Sequence, residues 1–259
     1  MDFFEKLNQN PYSDLAWNIP ERKQGIIGIF GGNAQNFRTE IRVAEFLEKE
    51  FPLESVRVIL PDALESSLPS APNFTFLPST ESGAFSDGER IARVATNSDV
   101  NIFIGDFSKN SITEKAVRSA VEIAEKATIV TRDAVDLIAG NPEKILENEN
   151  VIIFGTMAQL QKITKAVYYP RMLLLSQPLT QVAETLHKFT LSYSASIITF
   201  YNGQILVAKD GAVKALPLEL SNYSPLTMWG GELVARIAAF NVYNPNNFIA
   251  ATIAAICQS

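Results

Sequence analysis

Two glycine pairs, each leading into a polar or acidic residue, are the parts of this chain that could do chemistry. The first is Trp229-Gly230-Gly231-Glu232, which runs into Leu233, Val234, Ile237 and Ala238 at helical spacing with Arg236 opposite. A glycine turn feeding a helix start presents unpaired N–H groups and the positive end of the helix dipole, which together make an anion site. Glu232 would sit in that first turn, where the dipole favours a carboxylate and where it could act as a base on a bound ligand. The plainer alternative stays open: a tight turn followed by an ordinary first-turn glutamate. The second pair, Gly31-Gly32-Asn33, follows the apolar run Ile26–Phe30 and precedes a helical pattern over 38–50. Strand, glycine turn and helix make the first half of a βαβ unit, whose turn lies where open α/β sheets bind ligands. No third glycine follows at dinucleotide spacing, so the fingerprint is incomplete.

Elements to position these residues recur along the chain. Residues 1–24 form an amphipathic lead (DFFEKLN) and a loop with Pro11 and Pro20. Strand-like apolar runs follow at 26–30, 56–60, 74–77, 101–104, 128–130, 151–154 and 172–175. Helical periods lie between them over 38–50, 89–96, 111–126 and 180–188, the third with Ile112, Ala116, Ala120 and Ile123 aligned. Continuous β-branched runs alternating with helices predict a mainly parallel sheet covered on both faces. From Ser196 the pattern changes, because Asn202-Gly203 and Asp210-Gly211 separate apolar runs, the strongest hairpin signal. A β-meander over 196–218 is expected, then the turn and helix of 221–239, then a last apolar helix over 247–257. No linker or shift in composition divides 1–259, which is read as one domain.

Composition narrows the classes. Hydrophobic residues make up 47% and charged ones 19% of 259 residues, a globular balance with a sizeable core. A net charge of −6 argues against nucleic acid as the main partner. One cysteine, Cys257, and one histidine, His187, exclude an internal disulfide and a structural zinc site of the usual kind. His187 falls mid-helix and reads as a surface residue rather than a catalytic one. The start lacks the basic flank and apolar core of a signal peptide, and no run reaches the roughly 18 apolar residues of a membrane span. A soluble, cytoplasmic protein without a membrane partner is the expectation.

The order of parts resembles the ribokinase-like superfamily, and within it the ADP-dependent NAD(P)H-hydrate dehydratases of the YjeF C-terminal carbohydrate kinase group. That group carries a motif close to G-N-P-G-M-A-T-G-G-T-G-D, and Ser221–Glu232 (S-N-Y-S-P-L-T-M-W-G-G-E) fits it without a gap. Asn222, Thr227 and Gly231 match, Gly230 replaces a threonine, and Glu232 stands in the place of the catalytic aspartate. Pro20–Gly25 followed by GIFGGN is similar to the family's P-x-R…K-G…V-I-G-G-S element. Asn101–Ser108 lies where the family has V-V-I-G-P-G-L-G, and 131–137 where it has L-D-A-D-A-L. The resemblance implies a ribokinase-like three-layer α/β/α fold and an ATP- or ADP-dependent lyase or small-molecule kinase, with Mg2+. It implies a homo-oligomer too, for which Phe3 and Phe4 could be buried against a neighbour. Glu232 would be catalytic, and Gly31, Gly32, Asn33, Gly105, Asp106, Asn222, Thr227, Gly230 and Gly231 would hold the nucleotide or small molecule.

Departures from the family pattern are concentrated in these motifs. The G-P-G-L-G loop keeps only Gly105 and gains the charge of Asp106. The H-P-G-E element has two possible counterparts, Gly155-Thr156 after 151–154 or Gln177-Pro178 after 172–175, and both lack its histidine and glutamate. The meander lysine becomes aromatic or amide in 200–202, and Met228 and Trp229 replace glycines where a side chain obstructs close approach to phosphate. Two further readings therefore stand beside the active dehydratase. One is a pseudoenzyme that keeps the fold for nucleotide binding or assembly. The other is a kinase of a different small molecule.

Overall fold

The computed structural model describes residues 2–69, 71–220 and 230–257, the side chains of 16–18 and 220 apart. Its centre is a ten-stranded sheet in the order β1-β10-β9-β8-β7-β6-β5-β2-β3-β4. The apolar runs supply β2 (Ile26–Phe30), β3 (Ser55–Pro61), β4 (Phe74–Leu77), β5 (Val100–Phe103), β6 (Ala127–Thr131) and β7 (Val151–Phe154). These pair in parallel, as does β8 (Ser196–Tyr201) on β7. β9 (Gln204–Lys209) is antiparallel to both β8 and β10 (Ala212–Pro217) and so makes the expected meander. Strands buried on both faces need no polar alternation, and β5 and β7 are buried at every position.

Helices cover the two faces. On one lie α1 (Arg38–Glu50), α8 (Glu232–Tyr243) and α9 (Phe248–Cys257), with Val43, Leu47, Leu233, Ile237 and Ile253 in their shared core. On the other lie α2 (Gly88–Ala95), α3 (Ser111–Glu122), α4 (Asp133–Ile138), α5 (Glu143–Glu147), α6 (Met157–Ala166) and α7 (Leu179–Ser192). The architecture is three-layered, with a mostly parallel sheet between. No helix among the described residues is long and apolar enough to cross a membrane.

Three local expectations give way to tertiary context. Within the lead, β1 (Phe4–Lys6) extends the sheet in parallel with β10. Phe3 stacks on His187, with ring centroids 4.0 Å apart, and Phe4 packs on the core of its own chain. The run 172–175 forms no strand: the sheet has no place for it between β7 and β8, and Met172 and Leu175 are exposed. In α3 the buried stripe is Thr113, Ala116, Val117, Ala120 and Val121, while Ile112 and Ile123 at its ends face outward.

Candidate functional site

Strand order reverses between β2 and β5. β2 leads through α1 to β3, β5 leads through α3 to β6, and these two helices lie on opposite faces. The loops leaving the two strands diverge at the carboxyl edge, the position where doubly wound sheets take ligands. Gly31, Gly32 and Asn33 stand on one side of this crevice, and Gly105 and Asp106 on the other.

The start of α8 closes on the same place. Gly231 caps the helix at φ 89°, a left-handed conformation that suits glycine. A methyl group on Gly231 would lie 2.5 Å from Val43 Cγ2 and 3.0 Å from Ile104 Cδ1. One on Gly31 would lie 1.9 Å from the Ile104 carbonyl oxygen. Both glycine turns thus meet at Ile104. Gly230 and Glu232 are partly exposed, and Glu232 makes no hydrogen bond or ion pair among the described residues. Asn222 and Thr227 lie outside the described residues, as does the rest of 221–229.

Polar side chains lace the two strand-end loops together. Asn33 Nδ2 donates to the Asp106 carbonyl at 3.1 Å, while its Oδ1 accepts the amides of Gln35 and Asn36 at 2.9 and 3.1 Å. Asn36 Nδ2 donates to Asp106 Oδ2 at 2.9 Å, and the Ser108 amide donates to Oδ1 at 3.0 Å. The carboxylate of Asp106 is therefore engaged in holding its own loop to the neighbouring one. From outside, the Ala34 amide donates to the Gly83 carbonyl at 2.9 Å, which fastens the loop after β4 to the loop after β2.

Sequence reasoning passed over Glu40, although its spacing to Val43, Ala44 and Leu47 places it on the buried face of α1. It is 1% exposed, and neither carboxyl oxygen has a hydrogen-bond partner. Burial pushes its pKa up from 4.5 to about 8. The backbone N–H groups of Glu40 and Gly32 and the charge of Arg132 pull in the other direction, and Asp106 adds to the rise. Burial thus favours the neutral acid form of Glu40.

Arg132, at the end of β6, holds φ 54° and ψ −129°, a conformation that costs a non-glycine residue about 1–3 kcal/mol. Its surroundings enforce it. Arg132 Nη1 donates to Thr39 Oγ1 at 2.9 Å, and its carbonyl accepts from Gln159 Nε2 at 2.9 Å. The same Nε2 donates to Asp136 Oδ2 at 2.9 Å, and Lys162 Nζ donates to Oδ1. Burial raises the Asp136 carboxyl, but these two donors outweigh it and hold the group below its ordinary value. Asp133 is pushed up, by burial first and then by Asp106, against Lys109 and Arg132.

Beside Arg132 lies an open cleft whose interior, about 70 Å³, has room for one ring or phosphate-sized group. Thr131, Arg132, Thr156 and Gln159 supply its polar wall; Phe154 and Phe200, with ring centroids 5.4 Å apart, supply the apolar one. Gly155-Thr156 follows β7 directly and lines this cleft. Gln177-Pro178 follows no strand, and the Gln177 carbonyl accepts a hydrogen bond from Tyr201 Oη. Of the two expected counterparts, only Gly155-Thr156 stands at the end of a parallel strand. His187 is a packing residue, with Nδ1 2.5 Å from the Gly211 carbonyl oxygen and its ring on Phe3. Among the described residues no three histidine, cysteine or acidic side chains converge to hold a metal ion.

No family model matches the sequence, and no curated protein does. Solved structures do match. A ribokinase-like superfamily protein from Enterococcus faecalis superimposes with a TM-score of 0.71 at 14% identity, over 99% of this chain and 86% of that one. The ADP/ATP-dependent NAD(P)H-hydrate dehydratase from Bacillus subtilis, co-crystallised with ATP and Mg2+, gives 0.62 at 14% identity, over 96% and 87%. Adenosine kinase from Anopheles gambiae, in complex with a diadenosine tetraphosphate, gives 0.52 at 12% identity, over 98% and 89%. At these identities the likeness is one of fold, and the fold is ribokinase-like.

Proposed function

We propose that this ribokinase-fold chain is a divergent NAD(P)H-hydrate dehydratase-like protein that binds a nucleotide or another phosphate-bearing small molecule without turning it over. One observation carries this reading. The cleft beside Arg132 is lined by polar side chains and two phenyl rings, yet among the described residues no carboxylate lines it. Phosphoryl transfer to a hydroxyl, and dehydration driven by it, call for a group that accepts the hydroxyl proton. Two nearby carboxylates are engaged, Asp106 with Asn36 and Ser108 and Asp136 with Gln159 and Lys162, and burial favours the neutral form of Glu40, which leaves Asp133 and Glu232. ATP and ADP are the first candidates, since two fold neighbours were crystallised with adenine nucleotides. Mg2+ would enter with the phosphates, because it is commonly held by one or two carboxylates plus phosphate oxygens.

The active-enzyme reading has one observation in its favour: Glu232 stands without a partner at the start of α8, available to accept a proton. It is one methylene longer than the aspartate that the family resemblance places there, and misplacement by about 1 Å can cost roughly a hundredfold in rate. Thermal shift with ATP, ADP, AMP and NADH, paired with turnover of hydrated NADH, separates the two. A nucleotide at a hundred times its Kd should stabilise the fold by about 2.7 kcal/mol, with no turnover and no change of affinity in Glu232→Gln. Turnover by the unaltered protein that Glu232→Gln abolishes would hand the assignment to the active enzyme. No shift with any nucleotide would remove the nucleotide from the proposal. The expected homo-oligomer belongs to the same reading.

A further inference from the structure

Glu40 lies beneath both loops of the crevice. Methyl groups on Gly31 and Gly105 would stand 2.4 Å and 1.8 Å from its Oε1, so the absence of a side chain at both positions gives the carboxyl its room. The charged groups that bear on it are Arg132 from the end of β6, which favours the carboxylate, and Asp106 from the loop after β5, which opposes it. β2 brings only Ile26–Phe30, without a charge. From α8 the buried side chains, Leu233, Val234 and Ile237 among them, carry no charge; Glu232 stands at its partly exposed first turn, and Arg236 lies over the rings of Phe46 and Phe51.

A carboxyl whose two buried oxygens meet no well-aligned donor is tolerable as a neutral acid, whereas its carboxylate, favoured only by the nearby Glu40 and Gly32 N–H groups and Arg132, calls for water or further donors. Parting of the loops at Gly31 and Gly105, which lie against Oε1, would admit water to it. We propose that Glu40 is a proton-loaded positioning residue: its neutral form keeps the loops after β2 and β5 closed and ligand-ready, and its ionisation parts them and weakens binding of phosphate-bearing ligands. The ligand half of this inference rests on the proposed binding site, and the loop half does not. The sign follows from the raised pKa. Stabilisation from Glu40 is complete below its unfolded value near 4.5 and is lost as pH rises through about 8.

Amide hydrogen exchange, corrected for the intrinsic pH effect, reads the loop directly. Between pH 6 and pH 8, protection at the hydrogen-bonded amides of Gly31, Asn33, Ile104 and Ser108 should fall by about tenfold per pH unit, the slope of a one-proton linkage. In Glu40→Gln it should stay level, as should amides of β7 and β8 in both proteins. Protection that is level in the unaltered protein, or that falls equally in Glu40→Gln, overturns the inference. Carbon-detected NMR titration of the Glu40 carboxyl in the unaltered protein guards against a variant that fails to fold; a midpoint near 4.5 would also overturn it. ATP affinity at pH 6.5 and 8.5 then tests the ligand half: weaker binding at 8.5, and equal binding at both in Glu40→Gln. Absence of ATP binding at both values counts against the nucleotide reading alone, and the exchange data still decide the role of Glu40.

Discussion

Glycine-to-alanine changes at the sheet edge separate room needed for folding from room left for a ligand. Gly31 has no special backbone conformation, so elsewhere Gly31→Ala would be neutral or stabilising by about 0.4–1 kcal/mol. Here the added methyl meets the Ile104 carbonyl oxygen at 1.9 Å and Glu40 Oε1 at 2.4 Å, and backbone cannot yield cheaply. Destabilisation of about 3 kcal/mol is expected from urea unfolding. Gly155→Ala is the contrast, since its methyl finds neighbours only at 3.5 Å or beyond. Stability should stay within about 0.5 kcal/mol, while nucleotide affinity drops because the cleft narrows. The glycine turns were legible in the sequence because glycine is a rare enough residue to mark a turn. Glu40 left a subtler signal, a glutamate at apolar spacing, and a charged side chain there is normally read as solvent-facing. Its burial depends on Gly31 and Gly105, which come from two different strand ends and meet it only in the folded sheet.

Helix α6 shows how one element both ends a strand and shapes the cleft. Thr156 caps it in a reciprocal box: its Oγ1 accepts from the Gln159 amide, and Gln159 Oε1 accepts from the Thr156 amide at 3.0 Å. Gln159 Nε2 simultaneously holds the Arg132 carbonyl and Asp136. Thr156→Ala should therefore cost about 1 kcal/mol, the ordinary worth of a cap. Gln159→Ala removes the cap partner and one restraint on the strained Arg132, and should cost about twice that by urea unfolding. Equal costs would mean that Gln159 does nothing beyond capping. Strands β2, β5, β6 and β7 were readable because burial on both faces writes a continuous apolar run. Residues 172–175 carry the same signature without a sheet position, and β1, only three residues long, becomes a strand through its pairing with β10. Run length and composition report apolarity; pairing partners decide which apolar segments become strands.

Across the whole molecule the charge of −6 sets copies of this chain against one another, so self-association needs a face where repulsion is small. One candidate surrounds the segment after α6. Tyr168 is 93% exposed, and Met172, Leu175 and Leu191 are each more than 60% exposed, an unusual display for side chains of this size. Tyr168 and Leu191 line one shallow depression with Arg171 and Lys188, and Tyr168 and Met172 share the next. Arg171 and Lys188 both pair with Glu184, at 3.0 and 2.9 Å, so only a single net positive charge remains among these three side chains. A two-fold dimer places the same patch on both sides, so an apolar face with its charges largely paired is the one that meets itself with least repulsion. The N-terminal phenylalanines offer less apolar surface, since Phe3 is stacked on His187 within the chain and Phe4 packs on its core. Light scattering at micromolar concentration should find a dimer or larger assembly that persists at high salt, because apolar contacts are not screened. Tyr168→Glu combined with Leu175→Glu should return it to monomers without lowering stability, as both side chains already face water. A monomeric unaltered protein would remove the oligomer from the proposal, and an assembly indifferent to the double substitution would place its interface on another face.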